Sequence, residues 1–295
     1  MPRFEGSEEA VVLPVESPRL DPKPAQRVRQ PGIFTGPPIH ESSGLVRSRT
    51  HPGLLWTLND SGNPPTLFLI DTLAQNPGFV VLANGDNQDW EALSSGPCDD
   101  DWCLYIADIG DNLSVRPSVR IYRVVEPTAE VVATRSALVR DSLVVRYANG
   151  PEDAEAMVVT PAGDMAIITK GKRGVATTYW IPASAWAEGS VVAEPIWRLP
   201  FRTSILLYLL SRLVTDAALS PDGQQLFVRT YSTVYRFGKG QASDRLPMQP
   251  EAACDVSGLD PQGEGLAWWD DSTLVMSSET TRLAPAPLTL LECAR

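Results

Sequence analysis

A short phrase recurs five times along the chain: a turn, a small or acidic residue, Ala or Gly, then Leu or Met opening an apolar strand. The copies are Ser43-Gly44-Leu45, Glu91-Ala92-Leu93, Glu155-Ala156-Met157, Ala217-Ala218-Leu219 and Glu264-Gly265-Leu266. They recur at intervals of about 47 to 64 residues, the length of a four-stranded blade with ordinary loops. The same grammar follows each phrase. In the first copy SGLVRS leads through HPG to LLWTLND, through SGNPP to TLFLIDT, and on to GFVVLAN, each a short run with strand periodicity. The second copy reads EALSSG, CLYIADIG, VRIYRVVEP and SLVVRYANG. The fifth (GLAWWDD, TLVMSSE, PLTLLEC) is one strand short. The segment Gln26–Phe34, strand-like and otherwise unpaired, is expected to supply it and to close the ring, removing exposed edges.

The expected fold is therefore an all-β, five-bladed β-propeller closed by an N-terminal strand. A six-bladed ring, with the long third interval hiding an irregular blade, is the alternative. Residues 1–22 read as a Pro-rich disordered or extended lead-in and 23–295 as one domain. Twenty-six Pro and 21 Gly spread along 295 residues argue against long helices.

Lys and Arg total 25 against 36 Asp and Glu, a net charge of −11, which disfavours nucleic acid and anionic membranes as partners. The apolar run Ile205–Leu210 is far short of the roughly 20 residues that span a bilayer, and is read as the outer strand region of the third blade or a short helix inserted before the fourth, packed on the neighbouring blade rather than binding a partner. A monomer is expected. Of the four cysteines, Cys98 and Cys103 bracket a polar turn, and the preferred pairing is Cys98 with Cys103 and Cys254 with Cys293. Four buried thiols in a cytosolic protein is the alternative. Paired, they imply a periplasmic or secreted protein whose leader is not present in this chain. Two His and no CxxC spacing leave little for zinc.

In a propeller the first strand of each blade lines the axis, so Ser43, Glu91, Glu155, Ala217 and Glu264 would face one another, with Asp216 beside the alanine. Carboxylates crowded into a narrow channel repel unless protonated or bridged by a cation. An all-oxygen set selects a hard cation, and a flexible one favours calcium, so the expected metal ligands are Ser43, Glu91, Glu155, Asp216 and Glu264. Strand-start acids that merely accept backbone amides are the plain alternative.

A second ring comes from the ends of the second strands: Asn59 and Asp60, Asp108, Asp111 and Asn112, then Lys170, Arg229 and Glu279. Asp60 or Asp108 orienting water, with Lys170 and Arg229 steadying an anion, would suit hydrolysis. A solvated rim of Asx turns and local ion pairs is the other reading.

The phrases ESSGL, DWEAL, DAEAM and GEGLA, with LWTLNDSG and LYIADIGDN between them, resemble the SdiA-regulated family of bacterial propellers. The resemblance covers most of the chain after residue 40. It implies five blades and an axial pattern of Ser, Glu, Glu, Ser, Glu, met at Ser43, Glu91, Glu155 and Glu264 and departing at Ala217. The axial pattern is also similar to that of calcium-activated apyrases. There LWTLNDSG would place Asp60 at an acidic turn, and Lys170 and Arg229 would be phosphate-binding, although the longer apyrase motifs are absent. Both resemblances imply an exported or lumenal protein.

The leading expectation is an extracytoplasmic calcium-binding propeller that takes a small or polymeric ligand at its channel mouth. The alternatives are a calcium-dependent hydrolase of phosphate esters, anhydrides or lactones, and an interaction scaffold using Trp268 and Trp269. No GxSxG elbow or Ser-His-Asp constellation is legible.

Overall fold

A computed structural model describes residues 20–34, 38–172, 175–199, 212–240, 244–281 and 284–293. The run Ile205–Leu210 and most of the 1–22 lead-in fall outside them. The fold is all-β and β-propeller-like, with two short helices, Ala129–Thr134 and Ala185–Glu188, among the described residues.

The strands fall into four-stranded antiparallel units. The first runs Ser42–Arg47, Leu55–Asn59, Thr66–Ile70 and Gly78–Leu82. The second comprises Trp90–Cys98, Asp101–Asp108, Val119–Val125 and Asp141–Tyr147. The third is Ala154–Val159, Met165–Thr169, Ala176–Ile181 and Ser190–Leu199, and the fourth Val214–Leu219, Gln225–Thr230, Thr233–Gly238 and Gln249–Asp255. The fifth takes Gly263–Trp268, Leu274–Ser278 and Ala286–Glu292, and its outer strand is Arg27–Phe34, antiparallel to Ala286–Glu292. Just before it, Lys23–Pro24 pairs with Cys254–Asp255 of the fourth unit.

Every innermost strand packs on that of the next unit, and the fifth packs on the first. Apolar clusters fill the spaces between units. Trp56, Leu58, Trp90 and Leu93 lie between the first and second. Leu45, Leu55, Val275, Leu288 and Phe34 lie between the fifth and first. This sandwiching explains why Leu55–Asn59 is buried at every position, whereas the outer strand Asp141–Tyr147 keeps the alternation of a half-exposed sheet.

Cys98 and Cys103 are disulfide-bonded across the turn of the second unit's first hairpin, with Cα atoms 5.8 Å apart. Cys254 and Cys293, 5.6 Å apart at Cα, join the fourth unit to the fifth. No described helix is long and apolar enough to cross a membrane.

Each innermost strand begins with an irregularity in its pairing with the second strand: Ser42 to Leu45, Trp90 to Ala92, Ala154 to Ala156, Val214 to Asp216, and Gly263 to Leu266. A bulge leaves a residue unpaired and re-aims its side chain. Ser43, Glu91, Glu155, Thr215 and Glu264 lie in these five irregularities. The fourth-copy alignment is thereby corrected: the register puts Thr215, not Ala217, in line with the three glutamates. The following hairpins agree, since Val159-Thr-Pro-Ala-Gly-Asp-Met165 matches Leu219-Ser-Pro-Asp-Gly-Gln-Gln225 residue for residue.

Candidate functional site

The bulges collect acids at one mouth of the axis in two tiers. Glu91, Glu155 and Glu264 form the deeper tier, 5%, 1% and 4% exposed. Above them Asp60, Asp89, Glu279 and Glu41 are half-buried. One carboxylate oxygen from each of Asp60, Asp89 and Glu91 lies within 4.8 Å of the others. Gly110 makes room for this group, because a Cβ there would stand 2.4 Å from Asp89 Oδ2 and 2.5 Å from Glu91 Oε1.

Lys170 enters this set as an internal counter-ion. It follows the second strand of the third unit, its backbone held by Asp153 O (2.8 Å) and Val214 N (3.0 Å). Its Nζ donates to Glu155 Oε1 at 2.5 Å. Tyr231 Oη donates to Glu264 Oε1 at 3.1 Å, and Glu264 Oε2 is buried with no hydrogen-bond partner among the described residues. Thr215 Oγ1, on a fully buried residue, also lacks one among the described residues.

The remaining expected ligands are placed differently. Ser43 Oγ donates to the Glu91 carbonyl at 2.9 Å, with Glu91 Oε2 at 3.4 Å. Asp216 spends both oxygens on backbone amides, Ala217 N at 2.8 Å and Leu266 N at 2.6 Å, so its carboxylate ties the fourth inner strand to the fifth.

In the second ring, Asp108 accepts Arg116 Nη2 at 2.7 Å and Gln88 N at 3.2 Å. Arg229 is completely buried and donates to Gly265 O (2.8 Å), Ser277 O (2.7 Å) and Asp260 Oδ2 (2.5 Å). Gly263 admits that guanidinium, since a Cβ there would lie 1.7 Å from Arg229 Nη2. Asn59 caps the backbone of His40 and Glu41, Asp111 accepts Arg116 N, and Asn112 accepts Lys172 Nζ. Glu279 accepts Gln262 Nε2 at 2.5 Å. The anion-steadying roles of Lys170 and Arg229 thus meet two cations already engaged within the protein.

Burial and mutual repulsion raise the acids of this mouth. Asp89 is pushed up to about 6, by burial first and then by Asp60. Burial carries Glu155 to about 7 against the pull of Lys170. Glu279 also reaches about 7, through burial and the charges of Asp60 and Glu41. Glu91 and Glu264 are raised well above the usual range by burial and by Glu155. One ammonium faces several acids, and protons or a cation must make up the difference.

The residues fit a calcium ion. Oxygens sharing an ion at about 2.3–2.6 Å can stand up to roughly 5 Å apart, whereas magnesium at about 2.0–2.1 Å requires a tighter set. The Asp60, Asp89 and Glu91 oxygens fall within that span, and the donors are all oxygen, as a hard cation requires.

No protein-family model matches the chain, and no curated protein matches it. Among solved structures it is similar to the PQQ-bound form of an aldose sugar dehydrogenase from Streptomyces coelicolor. Identity is 11%, coverage is 91% of this chain and 99% of that one, and the TM-score is 0.51. At that identity the likeness shows the fold alone.

Asp89, Thr215 and Tyr231 were not foreseen as part of the site. Asp89 stands two residues before Glu91 within DWEAL, and Tyr231 directly follows the second strand of the fourth unit. Position relative to the repeat was the available signal for both.

Proposed function

We propose that the chain is a five-bladed β-propeller, closed by Arg27–Phe34, that works outside the cytoplasm and holds a calcium ion at its acidic mouth. The observation that carries the reading is the convergence of Asp60, Asp89 and Glu91 oxygens within 4.8 Å. On the same axis, Glu264 Oε2 is buried with no partner among the described residues. Asp60, Asp89 and Glu91 are the ligands, with Glu264 and the Thr215 hydroxyl as further oxygen donors on the axis. Thr215 would meet the hydroxyl position of the Ser, Glu, Glu, Ser, Glu pattern, which supports membership of the SdiA-regulated family. Two disulfides support the extracytoplasmic reading.

A calcium ion held by these residues would offer an oxygen-bearing small or polymeric ligand a cation to bind at the mouth. Calcium-dependent hydrolysis is the second reading: Asp60, half-buried and raised by burial, is placed to orient a water. It would take its anion on the cation itself, since Lys170 and Arg229 are engaged.

Titration calorimetry on EDTA-stripped protein tests the proposal. One calcium site per chain, at least tenfold tighter than for magnesium and lost in Glu91→Gln, is expected. Absence of both heat and any calcium-induced rise in Tm would overturn it. Turnover of phosphate esters or lactones that is abolished by chelation would select the hydrolase.

A further inference from the structure

The innermost strands run from the acidic mouth to Arg47, Leu219 and Trp268, roughly 17–20 Å away at the far mouth. A cavity of about 910 Å³ opens there, in the size range of small-molecule sites. Its floor is aliphatic, built from Leu45, Ala218 and Leu266. Trp102 and Trp268 wall it, both half-buried.

The rim is cationic on the side of the first unit. Arg47 lies 5.1 Å over the Trp269 ring and donates to Trp269 O at 2.5 Å. Arg49 lies 4.4 Å over the Trp102 ring and forms no ion pair among the described residues. Two acids also line the cavity, both on the fifth unit. Both are exposed, and Asp270 accepts from Ser272 N (3.0 Å) and Thr273 N (2.9 Å) of its own turn.

The segment bearing Arg49 is clamped in place. Glu126, 3% exposed and from the second unit, accepts on one oxygen Ser48 Oγ (2.6 Å), Arg49 N (2.9 Å), Thr50 N (3.3 Å) and Trp56 Nε1 (3.1 Å). A buried carboxylate therefore fixes the backbone of an exposed guanidinium at the edge of an apolar cavity, which is the preorganisation a binding site requires.

We propose that this far mouth is a second binding site, for a small organic anion with a flat apolar body, of the aryl carboxylate or sulfonate class. The guanidinium of Arg49 takes the anionic group, the indoles of Trp102 and Trp268 take the ring, and the aliphatic floor offers few of the partners that sugar hydroxyls need. The site is independent of the calcium mouth and does not rest on it.

Calorimetric titration with 2-naphthalenesulfonate in EDTA tests it. One saturable site per chain is expected, weakened at least tenfold by Arg49→Ala, partly recovered by Arg49→Lys, and unchanged by Asp89→Asn. The neutral 2-naphthol should bind at least tenfold more weakly. Arg49 is exposed, so its variants are expected to keep the wild-type Tm, and Trp102→Leu provides a second independent loss. No saturable binding, binding indifferent to both Arg49→Ala and Trp102→Leu, or binding lost in Asp89→Asn alone would overturn the proposal.

Discussion

Lys170 Nζ stands 2.5 Å from Glu155 Oε1 on an axis that also gathers Glu91 and Glu264. The lysine neutralises one deep carboxylate and leaves the others to protons or a cation. Lys170→Met should therefore destabilise the metal-free protein by about 3–5 kcal/mol, the cost of leaving a buried charge unpaired. Calcium should recover much of that loss, as read from urea midpoints with EDTA and with calcium.

The raised acids give stability a distinctive pH dependence. A carboxyl whose folded pKa exceeds its unfolded value stabilises the fold fully at low pH, and this contribution is lost as pH rises through the folded pKa. With Asp89 at about 6 and Glu155 and Glu279 at about 7, Tm in EDTA should fall between about pH 4.5 and 7.5. Saturating calcium should flatten that fall by stabilising the ionised form. A flat profile in EDTA would contradict this account.

Asp89 and Asp216 should separate binding from architecture. Asp89→Asn is expected to weaken calcium at least tenfold with little change in metal-free stability. Asp216 already satisfies Ala217 N and Leu266 N. Asp216→Ala should lower Tm, since it strands two amides at about 1–3 kcal/mol each, while calcium affinity per folded molecule stays near wild type.

Arg229→Met should behave as a structural lesion. It removes donors to Gly265 O and Ser277 O and strands Asp260, for an expected loss of about 3–5 kcal/mol in a denaturant melt. A fold-neutral variant with weakened ligand binding would instead return Arg229 to the rim.

The two disulfides should differ in weight. Closing a longer loop restrains the unfolded chain more, so loss of Cys254–Cys293, with a separation of 39, should cost roughly 4 kcal/mol. Loss of Cys98–Cys103, with a separation of 5, should cost roughly 2 kcal/mol. Paired Cys→Ser variants compared by guanidinium midpoint provide the measurement.

The units were legible because turn residues and period-2 runs mark their strands locally, and because a fifth copy short of one strand pointed to Gln26–Phe34. Glu91, Glu155 and Glu264 were legible from the repeat itself. Thr215 was hidden because Ala217-Ala218-Leu219 imitates the phrase two residues downstream, and only pairing across the hairpin separates the two registers. The burial of Arg229 was hidden for a different reason. Its strand-end position is the same whether it faces a ligand or fills the slot opened by Gly263, and that slot is made by a distant segment.

Arg27 bonds to Glu292 across 265 positions of chain. The four antiparallel strands of each of the first four units are neighbours in sequence, whereas the fifth unit joins the two ends of the described chain. Among the described pairings this junction spans the largest separation in sequence, so its loop closure carries the largest entropic cost. Removing Arg27–Phe34 would leave Ala286–Glu292 as an unpaired sheet edge, open to a strand from another chain.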